Sequence, residues 1–267
     1  MNGDAEGSDG PRNRPTHDSR QAEVWACLQG VMDPELDESV TDLNFVTKAD
    51  VDSKNRVHIE FRLPTYWCAA NFAFLMADDM RRAVGALDWV EGVGVVLGEH
   101  MYADKINAGL AEGLSFQATF GAEADGSLDE LRQTFLVKAF QRRQVALLNH
   151  LIAMGHSSAT IVSLTLTELG RLPVDDDGEK LVLRYLERRA VVGQPGAAAL
   201  AFVDAKGVHL KADGLAGYVS DLRRVGINVE FNGALCRGLL SARFDLETPF
   251  APKSKTLSAP PDTQHVP

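Results

Sequence analysis

Apolar residues recur at helical spacing from Val24 through Cys27 and Leu28 to Val31, and Asp33-Pro34 ends that run. The segment Val57-His58-Ile59-Glu60-Phe61-Arg62-Leu63 alternates apolar and polar residues at period 2, the pattern of a half-buried strand. Before it, Val40 to Val46 reads as a strand or a loop leading into one, and Asp50 to Asn55 reads as a hairpin turn. Phe72, Met76, Met80, Ala83 and Leu87 then mark one face of a longer helix, with Asp78, Asp79, Arg81 and Arg82 on the other. Val90 to Leu97 is an apolar stretch broken by glycines and closes the series as a strand. Helix, strand, strand, helix and strand in that order predict a small sheet with helices packed on one face.

Residues 99–126 read as less regular, because glycines at 109, 113, 121 and 126 interrupt them. Ser127 and Glu130 suggest a capping box for a long helix from Leu131 to Met154. Further helices are predicted over Ser157–Leu169, Glu179–Val191 and Leu215–Val225, with a hairpin around Asp204-Ala205-Lys206-Gly207. Val229 to Leu246 fits no single element. The expected fold class is α+β, a small helix-strand-strand-helix-strand domain followed by a mainly helical one. The expected divisions are a disordered leader over 1–19, the α/β domain over 20–125, the helical domain over 127–248 and a disordered tail over 249–267. The tail holds five of the eleven prolines.

Composition narrows the functional classes. The 267 residues are 45% hydrophobic and 24% charged, as expected of a globular chain. A net charge of -10 argues against nucleic acid as the main partner, since phosphate neutralisation needs a basic surface. No apolar run has the length of a membrane span, and residues 1–20 lack the apolar core of a secretory signal. The three cysteines, Cys27, Cys68 and Cys236, are far apart and form no CxxC or Cys/His cluster. Neither a disulfide framework nor a closed zinc site is indicated, and a reducing cytoplasm is the expected compartment.

Cys68 is the residue with chemistry to offer. It lies between the strand ending near Leu63 and the helix carrying Phe72. A helix N-terminus presents unpaired N–H groups and partial positive charge, which favours thiolate, the form that attacks electrophiles and binds soft metals. Against this stands the commoner fate of a free cysteine, inert packing. That fate is the better expectation for Cys27, on the apolar stripe of its helix; Cys236 is undecided. Asp33, Glu35, Asp37, Glu38 and Asp42 could bring carboxylates towards Cys68, or could form only a solvated acidic loop. Thr65 could bond the thiolate or merely cap the helix. The glycine-rich Gly92 to Gly98 has no P-loop lysine, no GxSxG occurs, and the histidines show no i, i+4 pairing. Lys138, Arg142 and Arg143 read as a solvated helix face, with partner docking as the sharper alternative. Arg184, Arg188 and Arg189 add a basic excess on a second helix.

Three segments in order carry a resemblance: Asp33-Pro34-Glu35-Leu36, then Val40-Thr41-Asp42-Leu43-Asn44-Phe45-Val46, then Pro64-Thr65-Tyr66-Trp67-Cys68. With these, residues 20–98 resemble the metal–sulfur cluster assembly domain family, which includes SufT-like and PaaD-like bacterial proteins and the eukaryotic cytosolic iron–sulfur targeting factors. Asn44 stands where that family usually has glycine, and asparagine tolerates a left-handed backbone better than most residues. The resemblance implies a bacterial, cytoplasmic accessory or maturation factor that assists iron or iron–sulfur centre assembly and is not itself an enzyme. It implies Cys68 as the metal-engaging residue, in a pocket shaped by Asp33, Glu35, Asp42 and Thr65, with the iron or cluster held transiently. The implied partner is a client metalloenzyme; by analogy with PaaD-like relatives, a multicomponent non-haem iron oxygenase is the client expected. One such cysteine per chain suggests a homodimer. Arg142 and Arg143 are the expected partner-binding residues. Two other readings stay open. One is a metal-free assembly chaperone or interaction module for an oxygenase. The other is a thiol enzyme using Cys68, with His58 or His100 as its base.

Overall fold

The computed structural model describes residues 17–124, 127–193 and 195–244, with the side chains of 224–231 left out. The expected leader and tail lie almost wholly outside the described residues. Helix α1 (His17–Gln29) is followed by β1 (Val46–Val51), β2 (Arg56–Phe61), α2 (Ala70–Gly85) and β3 (Gly92–Leu97). The three strands form one sheet in the order β1-β2-β3, antiparallel across the first pair and parallel across the second. The hairpin closes through Asp52, whose Oδ1 accepts from the Lys54 and Arg56 N–H groups, and Asn55 adopts φ 60°. The antiparallel β1/β2 register slips between Val46 and Lys48, so Thr47 and Lys48 both face outward before alternation resumes. Val57, Ile59 and Phe61 point into the core, as the period-2 pattern requires.

Two expectations about this region change. Asp78, expected on the polar face of α2, is buried, where Arg81 and Arg82 neutralise it at 2.8 and 2.7 Å. The glycine-rich stretch after β3 is helical, forming α3 (Ala103–Ala111) and α4 (Phe116–Phe120). Gly109 does not break α3. It allows α4 to approach, because a Cβ there would collide with Thr119.

The remainder is helical: α5 (Leu128–Ala153), α6 (Ser158–Ser163), α7 (Leu166–Leu169), α8 (Asp176–Arg189) and α9 (Leu215–Phe244). Ser127 caps α5, but its side chain accepts from the Asp129 N–H, so the expected box with Glu130 does not form. A true capping box occurs at Thr165 and Glu168. The Asp204–Gly207 turn is present, with Gly207 at φ 82° and a single bridge between Val203 and His209. Helix α9 continues far beyond its predicted end and takes in most of the ambiguous stretch.

Two hydrophobic clusters result. One lies between the sheet and α1, α2, α3 and α4; the other joins α5 to α9 around Phe140, Tyr185 and Phe202. Leu240, near the end of α9, is 2% exposed and packs into the first cluster. The last turns of α9, the longest helix among the described residues, therefore return to the sheet region.

Candidate functional site

Backbone geometry places Cys68. The chain leaves β2, turns through Pro64 to Trp67, and enters α2 behind Ala69, an extended N-cap with no side-chain cap. Cys68 is half-buried at this turn, and Thr65 Oγ1 lies 3.1 Å from its Sγ. Its carbonyl accepts from His100 Nε2 at 2.8 Å, while the Tyr102 N–H donates to His100 Nδ1 at 3.2 Å. This fixes the tautomer with hydrogen on Nε2. Burial pushes the His100 pKa down, as does the nearby Arg243 charge, against the upward pull of the Cys68 carbonyl. With both nitrogens occupied by backbone atoms, His100 positions the Cys68 turn and leaves the thiol without its imidazole as base. His58 is exposed on β2 and pairs with Glu60. Beside the thiol, Tyr66 and Trp67 are 51% and 73% exposed.

The acidic loop after α1 is built around Asp33. Its Oδ1 accepts from the Glu35 and Leu36 N–H groups at 2.9 and 2.7 Å, which folds Asp33-Pro34-Glu35-Leu36 into a tight Asx turn. Asp33 is 8% exposed, and burial pushes its pKa up to about 6, against the pull of those two N–H groups. Asp37 takes the left-handed region at φ 52°, and so does Asn44 at φ 56°, a conformation that asparagine and aspartate tolerate better than most residues. Asp42 is exposed on the turn before β1 and makes no hydrogen bond or ion pair among the described residues.

Helix α9 joins these parts. Asn232 Nδ2 donates to Glu35 Oε1 at 3.0 Å, Arg237 pairs with Glu38 at 2.7 Å, and Arg243 reaches the Leu63 carbonyl and Glu99. The Arg62 guanidinium stacks 4.1 Å from the Phe244 ring centroid. Between these contacts lies Cys236. Burial first, then the charges of Asp33, Cys68 and Glu35, push its thiol up to about 11. Cys68, Asp33 and Glu35 thus all come within electrostatic range of one α9 thiol, with Thr65 touching Cys68. Sequence reasoning left Cys236 undecided and gave His100 only as a possible base for Cys68. An odd cysteine count hinted at Cys236, but nothing in the ambiguous 229–246 stretch said which surface it would meet.

The expected solvated basic face does not exist as drawn. Arg143 is 5% exposed and clamps Asp37 through Nε and Nη2 at 2.6 and 2.9 Å. Arg189 is buried and donates to the Ala201 and Val192 carbonyls. Arg142 is half-buried. An amphipathic helix packed on two sides has less free face than its charge pattern suggests.

Residues 21–96 match the family model described as iron–sulfur cluster assembly protein. The matched stretch holds the Asx turn, almost all of the sheet, α2 and Cys68, and the match supports a role in iron–sulfur cluster assembly. No family model matches the C-terminal part, and no curated protein matches the chain significantly. Among the described residues, no group of three or more histidine, cysteine, aspartate or glutamate side chains could hold a metal ion, and no helix is long and apolar enough to cross a membrane.

Proposed function

We propose that the protein carries iron or an iron–sulfur cluster as cargo for a client metalloenzyme, with Cys68 as the thiolate that engages it. The observation that supports this reading is the placement of Cys68, half-buried beside Thr65 at the turn into α2 within the matched region, with the Cys236 thiol of α9 within electrostatic range. Two thiols are soft ligands suited to iron and sulfide, yet too few to close a tetrahedral site. Such an incomplete set favours handing cargo over rather than keeping it. The pocket is shaped by Asp33, Glu35 and Thr65; Asp42, exposed on its turn, has no part in it. Because α9 supplies a second thiol from the same chain, a homodimer is no longer needed to bring two cysteines together. The exposed Tyr66 and Trp67 provide an apolar rim beside the thiol onto which a client can dock. We infer a non-haem iron oxygenase as the client, by analogy with relatives of the matched region, and we assign client choice to the helical part that the family model does not cover.

Anaerobic loading with ferrous iron and sulfide, followed by transfer to an apo-acceptor protein, tests the reading. Cys68→Ser is expected to fold, with a stability change of about 1 kcal/mol or less, and to lose transfer. Cys236→Ser is expected to retain partial transfer. Unchanged transfer by Cys68→Ser would eliminate the thiolate role and favour a metal-free chaperone docking through the same rim.

A further inference from the structure

A cavity of about 630 Å³ lies beside the Leu36–Glu38 loop, where α5, α8 and α9 meet it. Its described lining holds five arginines, Arg142, Arg143, Arg184, Arg223 and Arg237, against two carboxylates, Asp37 and Glu38. In a chain of net charge -10 this concentration does not follow from composition. The two carboxylates are already engaged. Asp37 is held by Arg143 and Arg188, and Glu38 by Arg237. Arg223 donates to Asn149 Oδ1, a neutral acceptor. The Nε and Nη2 atoms of Arg142 are buried and find no hydrogen-bond partner among the described residues. Arg184 is exposed at the cavity and forms no side-chain ion pair or hydrogen bond among the described residues.

Buried guanidinium N–H groups without acceptors are costly, and several like charges around one cavity repel each other. An anion in the cavity would relieve both penalties. The three guanidiniums without a carboxylate come from three different helices. Donors converging from several directions suit a tetrahedral phosphate, whose oxygens point outward on all sides, better than a planar carboxylate. The volume admits a ligand larger than a single phosphate.

We propose that this cavity is a binding site for a small phosphate-bearing anion, such as a diphosphate or a nucleotide-sized organic phosphate, held by Arg142, Arg184 and Arg223. Cys68 does not line this cavity, and the site does not depend on cargo handling. Arg143 and Arg237 frame it through their ion pairs to Asp37 and Glu38, and Leu36–Glu38 line it from the loop side.

Calorimetric titration of the full chain with inorganic pyrophosphate at low salt tests the site. Saturable binding with a Kd of about 1 mM or tighter is expected. Arg142→Gln and Arg184→Gln should each weaken it by roughly tenfold, whereas Arg171→Gln, exposed and away from the cavity, should bind like wild type. Arg184 is exposed, so its variant tests the site even if Arg142→Gln disturbs folding. Added salt should weaken binding further. Absence of saturable binding, or wild-type affinity in both cavity variants, would overturn the proposal. Citrate binding as tightly as pyrophosphate would overturn the phosphate assignment.

Discussion

The sheet region and the helical region treat buried polarity in opposite ways. Around the sheet the packed cluster is apolar and backbone groups satisfy one another through the strand ladders; apart from Asp78, neutralised by Arg81 and Arg82, its buried polar side chains sit at the margin, in the loop after α1 and against the Cys68 turn. In the helical region polar side chains enter the core itself. Gln144 is fully buried, donating to the Val203 carbonyl at 2.8 Å and accepting from Tyr218 at 2.6 Å. Tyr185 and Arg189 both donate to the Ala201 carbonyl. The first arrangement leaves marginal groups free for chemistry; the second spends its polar groups on fixing an irregular segment, residues 199–203, against three helices. The two regions meet where a marginal group of the first is captured by cations of the second, at Asp37 with Arg143 and Arg188.

Breaking that meeting point should have the largest effect. Asp37→Ala takes the buried carboxylate from Arg143 and Arg188 and leaves Arg143 only the more exposed Glu187, and loss of one partner of a buried pair costs about 3–5 kcal/mol. Chemical denaturation of wild type and variant measures it. A loss below about 1 kcal/mol, the size of an exposed pair, would show that the joint does not hold the regions together.

The next effect has the opposite sign. Asp33 has a folded-state pKa raised to about 6 from 3.8, so the folded chain binds this proton more tightly than the unfolded one. Its stabilising contribution is present below pH 3.8 and is lost as pH rises through about 6. Asp33→Asn keeps an oxygen for the Glu35 and Leu36 N–H groups and removes the buried charge. At pH 8 it should therefore stabilise by about 1–3 kcal/mol, while at pH 3.5 the gain should vanish. Thermal melts at both pH values check the sign. Equal effects at both would mean that charge burial is not the cause.

The smallest effect concerns the return of α9. The Glu38–Arg237 pair is partly exposed, so Glu38→Gln should cost about 0.5 kcal/mol and less in high salt. Apolar contacts such as Leu240 would then hold α9 to the sheet region. A loss several times larger would shift that role to the ion pair.

Much of this was legible in the chain. The alternation from Val57 to Leu63, the turn at Asp52–Asn55 and the stripe through Met76 and Met80 are local signals, and each is decided by neighbours within a few residues. The order Asp33-Pro34-Glu35-Leu36, then Leu43-Asn44, then Thr65 and Cys68 also identified the matched region, because its Asx turn, left-handed asparagine and helix-start cysteine are local devices. The glycines near 109 misled, since a glycine that permits close packing and one that ends a helix look alike until the partner, Thr119, is known.

What tertiary structure alone decided is everything carried by long-range contact. Lys138, Arg142 and Arg143 share one charge pattern, yet Arg143 became a buried clamp on Asp37, 106 residues away, while Arg142 lines a cavity with two nitrogens unpaired among the described residues. Cys236 had no local signature at all and acquired meaning only when α9 folded back across the Asp33 loop. Local sequence determines φ, ψ and which face is apolar; it does not determine which charges meet, because Coulomb and desolvation energies depend on distance and burial that only packing sets.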